Sequence, residues 1–239
     1  MNRRHFLTTA ATLGSAAAIL PTAKALAPNE SAKGMVTEKT KLVPPATGGI
    51  PTAILISARL NVIDFSGPWG VFESVSVPAA TEPPFHLFTV SESAEVVTSG
   101  SGLKLVPHYT FANAPEVKVV VIPAQRGSDA MHDWLRKIVN TADVTMSVCT
   151  GAFHLAKAGL LSGKAATTHH EYIDKLKREF PDIDVKRGVR FVEGAKISTA
   201  GGLTSGTDLA LRVVERYFGR EIAQATATYM EYQSKGWIV

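Results

Sequence analysis

Two runs, VKVVVIP at residues 117–123 and DVTMSVC at residues 143–149, are apolar, rich in β-branched residues, and each followed by a stretch with helical patterning. Short continuous apolar runs of this kind suit strands that are covered on both faces. The alternation recurs along the chain. TAILISA (52–58) reads as a first strand, GPWGVFESVS (67–76) as a helix and FHLFTVSE (85–92) as a second strand. SDAMHDWLRKIVN (128–140) reads as a helix with Ser128 as its N-cap. TGAFHLAKAGL (150–160), EYIDKLKREF (171–180), SGTDLALRVVERYFG (205–219) and REIAQATATYMEY (220–232) are helical, and AKISTAGG (195–202) is a strand running into a glycine turn. The order β-α-β-α with buried central strands defines an α/β fold, a mostly parallel sheet sandwiched by helices. Ligands of such sheets bind beyond the carboxyl ends of the strands. Four loops converge there: 59–68, 123–128, 149–153 and 200–208.

The N-terminal residues do not belong to this pattern. Residues 1–27 carry Arg3-Arg4, then Phe6-Leu7, an apolar run to Leu20 and small residues near the end, the layout of a twin-arginine signal peptide. Cleavage after Ala25 or after Ala27 fits. The apolar run is too short and weak for a permanent membrane span, so no stable membrane anchor is expected after cleavage, and the location implied is the periplasm. Of the 25 Lys and Arg, three lie in the signal, leaving 22 against 21 acids, a net charge of +1. A balance so near neutral argues against a nucleic-acid-binding surface. Residues 28–50 are polar with Pro and Gly clusters and read as a linker or disordered arm. Residues 51–239 form one domain, large enough for a real core.

The single cysteine, Cys149, rules out an internal disulfide. A free cysteine is often only a small core hydrophobe. Here it stands at a strand-to-helix turn, which lifts a side chain above the sheet as in a nucleophile elbow. Backbone N–H groups of the following residues and the helix dipole favour a thiolate there, and Thr150 and Gly151 supply the first donors. His169 and His170 have no further Cys or His cluster around them, so no metal and no other cofactor is expected.

SVCTGAFHLAKAGLLSGKAATTH (147–169), VIDFSGPWGVFE (62–73) and TAGGLTSGTDLALRVVERYFG (199–219) resemble the ThiJ/PfpI superfamily, and most nearly its isonitrile hydratase branch and the related sensor domains of AraC-type regulators. The resemblance covers roughly residues 52–233. It implies a flavodoxin-like fold shared with class I glutamine amidotransferases, and a homodimer. It also implies roles. Cys149 is the elbow nucleophile, Asp64 the acid that approaches its sulfur, and Thr150 a hydrogen-bonding neighbour. Ala124 and Gln125 stand where the branch has Pro-Gly-Gly, whose N–H groups help form an oxyanion hole. His169 lies near the thiol, and His170 replaces a Trp of the pocket wall. Protonated, Asp64 donates to a thiolate or leaving atom; ionised, it activates water. Burial beside a thiolate would raise its pKa. Asp64 alone also satisfies turn chemistry in Asp-Phe-Ser-Gly-Pro. Glutamine amidotransfer needs a late histidine as base, and no histidine follows His170. Two functions are expected: a cysteine-dependent isonitrile hydratase-like lyase acting on a small-molecule substrate, or a periplasmic binding or oxidant-sensing module without hydratase activity; the wider superfamily alone implies a third, glyoxalase- or deglycase-like stress chemistry. GGLTSGTD resembles an anion site but lacks a phosphate-loop Lys, and reads as a capped helix start lining the pocket.

Overall fold

The computed structural model describes residues 32–78 and 80–239; the signal peptide read at 1–27 lies outside them. In chain order the strands are β1 (Met35–Val36), β2 (Ile50–Leu55), β3 (Phe85–Ser91), β4 (Val97–Thr98), β5 (Lys104–Leu105), β6 (Tyr109–Thr110), β7 (Val119–Ile122), β8 (Val144–Val148), β9 (Ala165–Ala166), β10 (Asp184–Val185), β11 (Phe191–Glu193) and β12 (Ile197–Ala200). The helices are α1 (Val62–Glu73), α2 (Asp129–Ile138), α3 (Ala152–Lys157), α4 (Ile173–Glu179), α5 (Ser205–Phe218) and α6 (Arg220–Tyr229). Eight strands form one sheet in the order β1-β11-β12-β8-β7-β2-β3-β6. Its pairs are parallel except β11 against β12.

Strand alternation divides the core into two layers. Val119 and Val121 of β7, with Val144, Met146 and Val148 of β8, face Val71 and Phe72 of α1 and the apolar face of α5. Val120 and Ile122 point the other way, onto Met131, Trp134 and Leu135 of α2 and Leu155 of α3. Both faces are thus buried, which is why these strands read as unbroken apolar runs. The expected α/β sandwich is the observed one. Ser128 caps α2, its side-chain oxygen accepting from the Met131 N–H at 3.1 Å.

Two sequence readings change. The stretch read as a linker is ordered from residue 32 onward against the sheet. β1 pairs with β11, the Thr37 N–H donates to the Glu193 carbonyl at 2.9 Å and the Leu42 N–H to the Arg216 carbonyl at 2.9 Å. The buried Arg212–Glu193 pair lies beneath this arm, with Arg212 Nε 2.8 Å from Glu193 Oε2. α1 also starts five residues before the expected helix, so Asp64 sits in its first turn rather than in a loop. Pro68, inside that helix, has no N–H to give the carbonyl four residues back, and this is the signal that read as a turn.

Candidate active site

The peptide leaves β8 and reverses at Cys149, whose φ of 58° is a left-handed value for a residue with a Cβ. The Cys149 N–H donates to the Gly201 carbonyl at 2.8 Å, and its carbonyl accepts from Thr168 Oγ1 at 2.8 Å. Both bonds hold the residue in its unusual conformation. Gly151 two residues later is forced by contact: a Cβ there would lie 2.0 Å from the Ile122 carbonyl oxygen. Gly151→Ala is therefore expected to cost about 3 kcal/mol or more, because backbone, not a flexible side chain, is in the way. Thermal denaturation checks this; an unchanged midpoint would show that the elbow can move off β7.

The thiol is 6% exposed and opens on a cavity of about 700 Å³. Arg59 and Asn61, Ala124 to Arg126, Cys149 and Thr150, and Leu203 line it. They come from the four loops expected to converge. A fifth segment, after β9, adds His169, Glu171 and Tyr172.

Asp64 lies fully buried beside the thiol, and the two perturb one another. Burial pushes its carboxyl up to about 6, while the Ala124 N–H and the Cys149 thiol oppose the rise. Its Oδ2 accepts from the Ala124 N–H at 3.1 Å. Oδ1 has no hydrogen-bond partner among the described residues. Burial, and then the Asp64 charge, push the Cys149 thiol up to about 12, outweighing the backbone N–H groups of Thr150 and Leu203. This reverses the expected thiolate. The element after Cys149 is one 3₁₀ turn and the six-residue α3, with little dipole to set against desolvation. Burial favours the protonated form of both groups, and one oxygen of the Asp64 carboxyl is left without a partner among the described residues.

The sequence-selected residues fall into three groups. Cys149, Thr150, Ala124, Gln125 and His169 line the cavity, with Asp64 buried beside Cys149. Ala124 cannot offer its N–H to a substrate, since Asp64 holds it. Gln125 reaches the cavity, but both polar atoms of its carboxamide are buried without a partner among the described residues. Gly151 and His170 do not line the cavity. Gly151 faces β7, and His170 is exposed, its ring centroid 4.3 Å from that of His169. His169 packs over Gly202, where a Cβ would meet its ring at 2.4 Å, and burial lowers its pKa. Sequence reasoning missed Arg59, Asn61, Glu171, Tyr172 and Leu203. Arg59 and Leu203 have positive φ, a conformation that sequence signals through Gly or Asn and not through Arg or Leu.

Behind the loop at Gln125 stand two histidines. His154 Nε2 is 3.1 Å from the Gln125 carbonyl, and its Nδ1 is 3.4 Å from His132 Nε2. Burial holds His154 down to about 4, so its neutral ring donates to that carbonyl and fixes the loop. Among the described residues no group of three His, Cys, Asp or Glu could hold a metal ion, and no helix is long and apolar enough to cross a membrane.

An α/β domain with a lone cysteine at a nucleophile elbow, a buried acid beside it and a cavity over both defines a class of cysteine-centred proteins. The model of the DJ-1/PfpI family matches residues 52–216, and the chain belongs to that family. The isonitrile hydratase of Pseudomonas putida is 33% identical over 184 residues, covering 74% of this chain and 76% of that protein. The HTH-type transcriptional regulator CdhR of Pseudomonas aeruginosa is 34% identical over 101 residues, 42% of this chain and 30% of the regulator's length. The crystal structure of a ThiJ/PfpI family protein from Pseudomonas syringae superposes with a TM-score of 0.67 at 28% identity, covering 78% and 76% of the two chains.

Proposed function

We propose that the protein is a cysteine-dependent hydratase that adds water to an isonitrile, R–NC, to give an N-substituted formamide. The observation that carries this reading is the Cys149–Asp64 pair, a cysteine at a strand-to-helix elbow lining the cavity with a fully buried, half-unpartnered carboxyl beside it. The similarity to an isonitrile hydratase supports the substrate.

Asp64 takes the thiol proton as sulfur attacks the terminal carbon of the isonitrile. The proton passes to that carbon and a thioimidate, Cys149–S–CH=N–R, results. Asp64 then removes a proton from water as hydroxide adds to the same carbon, and hands that proton to nitrogen. The C–S bond breaks, the formamide leaves, and the hydroxyl proton returns to sulfur through Asp64. General acid–base transfer by one positioned carboxyl serves both half-reactions, and the backbone N–H groups of Thr150 and Leu203 favour the transient thiolate. The test is formamide release when the mature protein is mixed with a small alkyl isonitrile. No product from folded protein would sink the reading.

A second reading, a small-molecule-binding or oxidant-sensing module, draws support from the regulator similarity, while the raised thiol pKa weighs against its oxidant-sensing form. Mass spectrometry after dilute peroxide tests the sensing form: ready oxidation of Cys149 would support it, and a thiol that never oxidises would count against it.

Export to the periplasm is supported by Arg3-Arg4-Phe6-Leu7. Replacing both arginines by lysine is expected to leave the protein in the cytoplasmic fraction; undiminished periplasmic protein would refute twin-arginine export.

A further inference from the structure

We propose that the substrate taken at Cys149 carries a carboxylate, held by Arg59 and Arg126. The inference rests on Cys149 as the reacting group and not on the isonitrile itself.

Arg59 and Arg126 both line the cavity that Cys149 opens on. Both are exposed, and neither forms an ion pair with a described residue. By contrast Arg136, Arg187, Arg190, Arg212 and Arg220 each meet a carboxylate. Arg178 is also without an ion pair among the described residues but does not line the cavity, and the Arg59 and Arg126 guanidiniums stem from tied backbones. The Arg126 N–H donates to the Ala58 carbonyl at 2.8 Å, Ser57 Oγ donates to the Arg126 carbonyl, and the Arg59 N–H donates to the Thr98 carbonyl at 2.9 Å. Two like charges are thus planted on adjacent loops, an arrangement that an anion between them relieves. Arg59 holds φ 62°, a strained choice where glycine would be at ease, and such outliers gather at ligand sites.

Sheet order adds a direction. Cys149 follows β8; β7 and β2, which Arg126 and Arg59 follow, lie to one side of it, and β12 to the other. His169 packs on Gly202, just beyond β12, and Glu171 follows His169. The acid of the cavity wall therefore stands across Cys149 from the two arginines. A carboxylate is drawn to one side and its reactive end is left over the sulfur. Guanidinium forks match a planar carboxylate in two hydrogen bonds, and unlike ammonium groups they give up water easily.

The lone cysteine makes the test direct. Alkylation of Cys149 by iodoacetate, an anion, is compared with alkylation by neutral iodoacetamide at pH 8.5, in the wild type, the Arg59→Gln/Arg126→Gln double variant and an Arg187→Gln control. The iodoacetate-to-iodoacetamide rate ratio is expected to fall about tenfold or more in the double variant, the loss of roughly one good charge-assisted contact, and to hold in the control. A ratio that the double variant leaves unchanged, or a Cys149 that neither reagent reaches, overturns the proposal. Turnover of isocyanoacetate and of its methyl ester separates this from the hydratase reading. Loss of both turnovers with the alkylation ratio intact refutes hydration alone. Equal turnover of acid and ester, unmoved by the double variant, refutes carboxylate recognition alone.

Discussion

Cys149→Ala is expected to abolish formamide production, a loss of at least about 10⁴-fold, since no other residue of the cavity offers a thiol to form the thioimidate. The variant should fold. Cys149 holds its place through backbone bonds to Gly201 and Thr168, and neither needs sulfur. Circular dichroism with the formamide assay checks both halves. Residual turnover within tenfold of wild type would mean that water is activated directly, with the cysteine a bystander.

Asp64→Asn is expected to lose turnover by about 10²–10⁴-fold, the usual worth of a positioned acid–base group, while gaining stability. The carboxyl stands near 6 in the folded protein against an ordinary 3.8. Folding therefore favours its protonated form. The stability it contributes is fully present below pH 4 and is lost as pH rises through 6, a cost of about 3 kcal/mol at neutral pH. Asparagine has no charge to desolvate and keeps an oxygen for the Ala124 N–H. The variant should melt roughly 6–12 °C higher than wild type at pH 8, with the gap closing toward pH 4. A gap independent of pH would show that Asp64 carries no buried charge. In the wild type, turnover should fall as pH drops through about 6, because a protonated Asp64 cannot accept the thiol proton.

Much of this arrangement is written locally. The apolar runs of β7 and β8, the Ser128 cap and the Cys-Thr-Gly turn carry their structure in adjacent residues. What escaped the sequence was decided by distant partners. β1 and β11 are two and three residues long, and only their mutual pairing at the sheet edge makes them strands. The protonation of Cys149 was misread because a strand-to-helix turn argues for a thiolate, whereas burial and Asp64, 85 positions earlier in the chain, argue more strongly against one. Arg59 and Arg126 fall in loops that were marked as converging, yet nothing in their own neighbours says that their charges go unpaired.

The cavity over Cys149 draws on Arg59 near the start of the sheet and on Leu203 near its end, and the strand between them, β8, pairs with β7 before it and β12 after it. No partly synthesised chain has this site. Parallel pairings that span such sequence distances form late and slowly, and until they form the single thiol is an ordinary exposed one without the burial that raises its pKa further. The kinetic race during maturation is therefore between sheet closure and oxidation. A compartment that supplies reducing conditions until folding is complete would decide how much of the protein ever becomes competent.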